Sequence, residues 1–376
     1  MEEKNKSKKI FLIVIVALII IIFVLLAILL NQKNGGEIAI NNNSNNSILN
    51  KENVKVVKEE AIELEDFSNT AFSMKKPKGW TVETGGTGMY YAIRAYDPKD
   101  TNNQIFLMLK IQPLLKSESA KSTWQNYSQL SGNSTQYKVF ADAVVLSNPT
   151  VENFYSSFNQ ISSYLNSVEP TLSTFKFPTF SNFTEIEESD SNASMKSVAL
   201  DSKVLRATFT NENSKSGEGL FMASIVNFGS QYQGTVDMSY YMIYDIMSIT
   251  TSKDQFINYK DTLLNSINSI EFTDSYVQKT IDDGNAQTKN ALELNAQMQK
   301  AYDSYFEAWE NRQKTYDIMS QKQSDATLGY ERVYDTDTGD IYKAYNGFTD
   351  DYQGNRYKSI TDDMYTEKTS GYIEKY

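Results

Sequence analysis

The stretch QIFLMLKI, residues 104–111, decides the fold. It is a short, nearly continuous apolar run, the pattern of a strand placed centrally in a sheet. Its N-terminal neighbours read as further extended pieces. In FSMKKPKGWTV (residues 72–82), Pro77 and Gly79 suit a tight turn, with Trp80 and Val82 alternating after it. Gly85, Gly86 and Gly88 precede MYYAIRAY, another strand-like run. That glycine cluster lacks the P-loop lysine and opens a strand rather than a helix, so it reads as a turn and not as a phosphate cradle.

On the C-terminal side two amphipathic helices are expected. Ala120, Trp124, Tyr127 and Leu130 recur at roughly helical spacing. Val151, Phe154, Phe158, Ile161 and Leu165 do so at intervals of 3 and 4, with Asn148 as the cap and Pro149 at the first helical position. These rings read as core anchors. Residues 204–209 and 220–228 form a hairpin pattern, and residues 236–244 alternate Val236, Met238, Tyr240, Met242 and Tyr244 on one face. Ser252 and Gln255 have capping-box spacing ahead of Phe256, Tyr259, Leu263 and Ile267. Ile270, Glu271 and Phe272 then close the region.

This order of elements, with Pro77, Gly79 and Trp80 at its start and DQFINYKDTLLNSINSIEF (residues 254–272) at its end, resembles the PsbP/Mog1-like α/β/α sandwich. The resemblance covers residues 64–272, with extra material around 148–194. It implies a binding or accessory module without catalysis, and it transfers no site residues. The expected fold class is α+β: an N-terminal transmembrane helix, an antiparallel-sheet sandwich (64–273), a long amphipathic helix (274–328) and a C-terminal β-hairpin tail (329–376).

Location is set by IFLIVIVALIIIIFVLLAILL, residues 10–30, which has no polar face and is long enough to cross a hydrocarbon core of about 30 Å. Lys4, Lys6, Lys8 and Lys9 precede it and only Lys33 follows closely, so residues 1–9 are expected in the cytoplasm and the rest outside. Its end at Leu29, Leu30 and Asn31 is a poor cleavage site, which favours an uncleaved anchor over a signal peptide. Residues 31–63, with NNNSNNS at 41–47, are expected to be a flexible tether.

Composition removes whole classes of chemistry. There is no cysteine, hence no disulfide, thiolate metal site, thiol nucleophile or lipoprotein anchor. There is no histidine either, hence no usual zinc ligand and no usual partner for a catalytic serine. A net charge of −11 argues against nucleic acid as a partner. Rich Asn, Lys, Ile and Tyr usage fits a Gram-positive bacterium with an AT-rich genome.

In the long helix, Leu294, Met298, Ala301, Tyr305, Trp309, Tyr316 and Met319 form an apolar stripe that needs cover. In the tail, residues 330–334 and 341–345 alternate like two strands around the turn 335–340. Glu331, Arg332, Val333, Tyr334, Asp335, Thr338, Gly339, Asp340, Ile341 and Tyr342 match an ERVYDxxTGDIY motif. It resembles that of a family of membrane-anchored Firmicutes proteins without assigned activity.

The turn carries carboxylates at Asp335 and Asp337, as calcium loops do. Glycine falls at position 5 and aspartate at 6, and the twelfth residue is Asn346, so a plain turn is the preferred reading. Glu185, Glu187, Glu188 and Asp190 read as a solvated loop and not as a glycosidase pair. Lys116 with Ser117 and Ser119, and Ser194 with Lys196, lack the S-x-x-K spacing.

No catalytic, metal or cofactor-binding residue is assigned. Tyr334, Tyr342, Tyr345 and Phe348 are the candidate partner-binding residues, toward an envelope protein or the cell wall. The expected function is a non-catalytic, single-pass, membrane-anchored extracytoplasmic binding or accessory protein. The alternative is a cell-envelope hydrolase using carboxylates alone.

Overall fold

The computed structural model describes residues 54–58, 62–191, 193, 195–253, 255–283 and 314–374. The expected anchor (10–30), most of the tether, and the stripe residues Leu294, Met298, Ala301, Tyr305 and Trp309 lie outside them. Among the described residues no helix is long and apolar enough to cross a membrane.

The chain is α+β. Its strands, in chain order, are β1 (Val56–Lys58), β2 (Leu64–Ser68), β3 (Phe72–Pro77), β4 (Thr81–Gly85), β5 (Ala92–Asp97), β6 (Asp100–Leu115), β7 (Ser181–Asp190), β8 (Ala199–Thr210), β9 (Ser216–Phe228), β10 (Tyr232–Gln233), β11 (Val236–Asp237), β12 (Tyr240–Ser252), β13 (Glu271–Phe272), β14 (Tyr330–Asp335), β15 (Ile341–Tyr345), β16 (Tyr357–Ser359) and β17 (Thr369–Ile373). The α-helices of the described residues are α1 (Glu118–Leu130), α2 (Thr135–Ala141), α3 (Val151–Ser156), α4 (Phe158–Val168), α5 (Phe256–Asn268), α6 (Asp274–Asp283), α7 (Lys314–Leu328) and α8 (Phe348–Asp351).

Seven strands form one antiparallel sheet in the order β4-β5-β6-β12-β9-β8-β7. Strand β6, which contains residues 104–111, sits beside the central β12, and its side chains alternate between two cores because both faces are covered. On one face Phe106, Met108, Phe221 and Ile243 pack with α1 to α4 through Trp124, Phe154, Phe158 and Ile161. On the other, Ile105, Leu107, Met222 and Ile249 pack with α5 and with the three-stranded sheet β13-β3-β2. Burying a Leu, Ile or Phe side chain contributes about 1.5–3 kcal/mol, so these two layers dominate stability.

Several elements depart from the sequence expectation. The second amphipathic helix is two, α3 and α4, broken at Ser157 (ψ 1°), and its cap is the Thr150 side chain instead of Asn148. Asp201 Oδ2 also accepts the Val151 N–H at 2.8 Å, so a strand residue helps to fix the helix start. Gln255 stands at the N-cap of α5 without a side-chain capping bond, its Oε1 accepting from Asn258 Nδ2 at 3.3 Å instead, and no capping box forms. Residues 236–244 are not one strand, because Asp237 takes the Ser239 N–H at 2.9 Å and turns the chain before β12 begins. The acidic segment at 185–190 belongs to β7, an edge strand with one side toward solvent, where alternating charges are compatible with a sheet.

The tail is more than a hairpin. Strands β14 and β15 pair antiparallel as expected, but they lie inside a five-stranded sheet of order β1-β17-β15-β14-β16 with β15 and β17 parallel. Strand β1, from the segment expected to be tether, pairs antiparallel with β17, Val56 opposite Ile373.

Candidate functional site

The charged residues of the tail motif converge on one structure. Helix α7 presents Asp317, Gln321 and Asp325, one turn apart, and all three are buried. Arg332 on β14 donates from Nε to Asp325 Oδ2 at 2.6 Å, from Nη2 to Gln321 Oε1, and from Nη1 to the Tyr365 carbonyl at 3.1 Å. Its guanidinium also lies 5.2 Å from the centre of the Tyr365 ring. Lys343 on β15 stands 3.7 Å from Asp325. One turn of helix thereby holds two neighbouring strands.

The other end of the helix reaches the large sheet. Asp317 pairs with Arg206 of β8, whose Nε donates to Glu218 of β9 at 2.6 Å. All three side chains are 2–3% exposed, and the Phe256 ring of α5 lies 5.4 Å from the guanidinium. Burial holds the Glu218 and Asp317 carboxyls above their ordinary range, which Arg206 partly offsets. A second tie runs from Asn258 of α5, which donates to Thr369 Oγ1 at 3.0 Å and accepts the Thr369 N–H at 3.2 Å.

The rest of the motif is fastening of the same kind. Asp335 receives both Arg356 Nε at 2.9 Å and Nη2 at 2.7 Å, which holds its carboxyl below the usual range. Asp335 also accepts the Asp337 N–H at 3.0 Å, and Gly339 (φ 82°) closes the turn. The carboxylates at 335–340 thus face a guanidinium and the turn's own backbone. Asp340 collects Tyr342 Oη at 2.9 Å, Ser370 Oγ at 3.0 Å, Thr338 Oγ1 at 3.1 Å and Lys58 Nζ at 3.2 Å. These bonds hold its carboxyl down at about 2 and join β15, β17 and β1. Glu331 accepts the Thr349 N–H at 2.6 Å, at the start of α8.

Of the four candidate partner-binding residues, Tyr342 and Phe348 are 1% exposed and belong to the module's own core with Val333 and Tyr352. They have no surface to offer. Tyr334 and Tyr345 are half-buried, and Tyr345 lies opposite the exposed Tyr330 across the β14–β15 ladder. Of the expected apolar helix stripe, Met319 is 66% exposed. The described part of the helix is seated by its acidic face.

A further buried carboxylate lies in the large sheet. Asp245 on β12 has φ 56° and is 0% exposed, at the point where the β12–β9 register slips between Tyr244 and Met247. Ser224 Oγ donates to its Oδ2 at 2.6 Å, and Ser202 Oγ bonds Ser224 at 2.8 Å. Burial pushes the carboxyl up to about 6. The Tyr155 hydroxyl reaches the carbonyls of Met222 at 2.7 Å and Met247 at 2.8 Å beside the same slip.

Lys116, from one of the serine–lysine groups, is committed to Asp237 at 2.9 Å, while Ser117 caps α1. In β7, Glu188 and Asp190 pair with Lys203 at 3.3 and 3.0 Å. The buried seam of Asp317, Gln321 and Asp325 with Arg206 and Arg332 was not anticipated. Its one sequence signal is acids and an amide at i, i+4 and i+8 in a segment rich in polar residues. No known protein family and no curated protein matches this chain.

Proposed function

We propose that this is a non-catalytic, single-pass membrane protein of a Gram-positive envelope, whose extracytoplasmic part binds or supports another envelope component. In this reading residues 10–30 are the anchor in membrane lipid, and the large sheet with its two covered faces is a PsbP/Mog1-like sandwich. In the same reading the tail motif is the one that resembles that of membrane-anchored Firmicutes proteins without assigned activity. The observation that carries the reading is the use made of the motif's charged groups. Glu331, Arg332, Asp335 and Asp340 are each spent on holding the C-terminal sheet, its helix and β1 together, which is the chemistry of a scaffold.

The half-exposed Tyr334 is the surface proposed for an envelope protein or wall polymer, beside Tyr345, whose hydroxyl donates to Asp351 at 3.2 Å. Tyrosine suits such a face because it offers a large ring and a polar tip at small entropic cost. A photoreactive residue placed at Tyr334 tests this in living cells, with Tyr232, 63% exposed on β10, as the comparison. An adduct from Tyr334 and none from Tyr232 is expected. No adduct from Tyr334, or adducts from Tyr232 alone, would overturn it.

A further inference from the structure

The face of the large sheet that carries α1 to α4 is apolar along most of its length and turns polar toward the β5–β6 turn. Three successive cross-strand rows show the change. Arg94 is paired with Phe106, and Phe106 with Ser248. Gln104 is paired with Thr250, and Asn102 lies one step further along β6 on the same face. Arg94, Asn102, Gln104 and Ser248 are 4%, 0%, 0% and 0% exposed. Each retains one polar atom without a hydrogen-bond partner among the described residues: Arg94 Nη2, Asn102 Oδ1, Gln104 Nε2 and Ser248 Oγ. Buried polar groups are normally paired, and of these four Arg94 and Gln104 are the two that stand in contact, while Phe106 separates Arg94 from Ser248.

The bonds that are made define what fits. Arg94 Nε donates to Gln104 Oε1 at 2.7 Å, and Nη1 donates to the Lys176 carbonyl at 3.0 Å. Because Oε1 faces the guanidinium, Gln104 Nε2, bonded to the same carbon, is held beside it. Two donors, one of them charged, are thereby left together. The only carboxylate within ion-pair distance of Arg94 among the described residues is Glu212, 4.0 Å from Nη2 and 39% exposed. Exposed Glu212 and Lys176 mark the solvent side.

We propose that Arg94 Nη2 and Gln104 Nε2 form a binding site for a small monocarboxylate, with Glu212 as the internal carboxylate that it displaces. A single free charged donor suits one carboxylate better than a phosphate, which takes several. The site lies in the large sheet and does not rest on the partner-binding role of the tyrosines.

The test uses the detergent-solubilised full chain and calorimetric titration with sodium lactate, against sodium chloride at matched ionic strength. Saturable heat with lactate and none with chloride is expected. Glu212→Gln removes the competitor and tightens lactate binding at least threefold. Gln104→Glu supplies a carboxylate to Arg94 from within, so it abolishes saturable binding and raises the melting temperature. Absence of saturable binding in both the native chain and Glu212→Gln, as expected of a pocket holding water only, overturns the proposal. So does binding that survives in a folded Gln104→Glu chain.

Discussion

Replacing Asp245 by asparagine should stabilise the protein at neutral pH and leave it almost unchanged in mild acid. Asparagine keeps the shape and accepts a positive φ more readily than most residues, so the backbone at the β12 slip is retained. What changes is the charge. The carboxyl titrates near 6 in the fold against an ordinary 3.8, because burial disfavours the anion and the Ser224 bond only partly compensates. Its folded form therefore holds a proton that the unfolded chain has released, and stability falls as pH rises from about 4 to about 6. At about 1.4 kcal/mol per unit, the cost at pH 7 is about 3 kcal/mol. In a domain of this size that corresponds to a melting temperature about 6–12 °C lower. Some of the gain in the variant is lost because the new amide needs an acceptor beside Ser224 and Ser202. Differential scanning fluorimetry from pH 4.5 to 7.5 should show this pH dependence weakened in Asp245→Asn, with the variant melting higher at pH 7.5. A variant melting lower than the native chain at pH 7.5, with an unchanged slope, would refute burial as the cause.

Further expectations rest on the C-terminal charges. Arg332→Met leaves Asp325 buried without its guanidinium and should cost about 3–5 kcal/mol in the C-terminal sheet. Hydrogen exchange should report it as lost protection across α7 and β14, while β6 and β12 stay protected. The carboxyls of Asp335 and Asp340 lie below their ordinary values, so their stabilisation is present above about pH 4 and is lost as pH falls toward 2. Acid should therefore release β1 from β17 over that window, and Asp340→Asn should remove part of the dependence. Calcium should leave the melting temperature unchanged, since Asp335 is occupied by Arg356. A real site at a hundredfold excess over its dissociation constant would add about 2.7 kcal/mol, visible at once and abolished by Asp337→Ala.

What was legible in the sequence was whatever local periodicity encodes. The buried run at 104–111, the hairpin of β8 and β9, helix α1 and the β14–β15 turn all declare themselves through residues two or four apart. Partners far along the chain do not. Strand β1 is three residues with no period of its own, and it exists because β17 offers it a ladder across more than three hundred positions. Strand β7 was hidden by its acids, which an edge strand tolerates on its open side. Helix α7 is seated through long-range charge pairs, and of the expected apolar stripe only the exposed Met319 can be placed on it. Its seat is made by Asp317, Gln321 and Asp325, whose partners Arg206 and Arg332 lie on strands that sequence spacing cannot place beside them. Asp245 is invisible for a related reason, because a lone aspartate in a strand gives no sign that the ladder slips around it.

The measurement that bears most directly on the proposed role is topology in the native membrane. Protease added to intact, wall-stripped cells should digest the chain beyond Asn31 and leave a small protected fragment that still begins at Met1. A C-terminal sheet that stays protected under the same treatment, or a mature N-terminus beyond Leu30, would contradict an outward-facing, anchored protein.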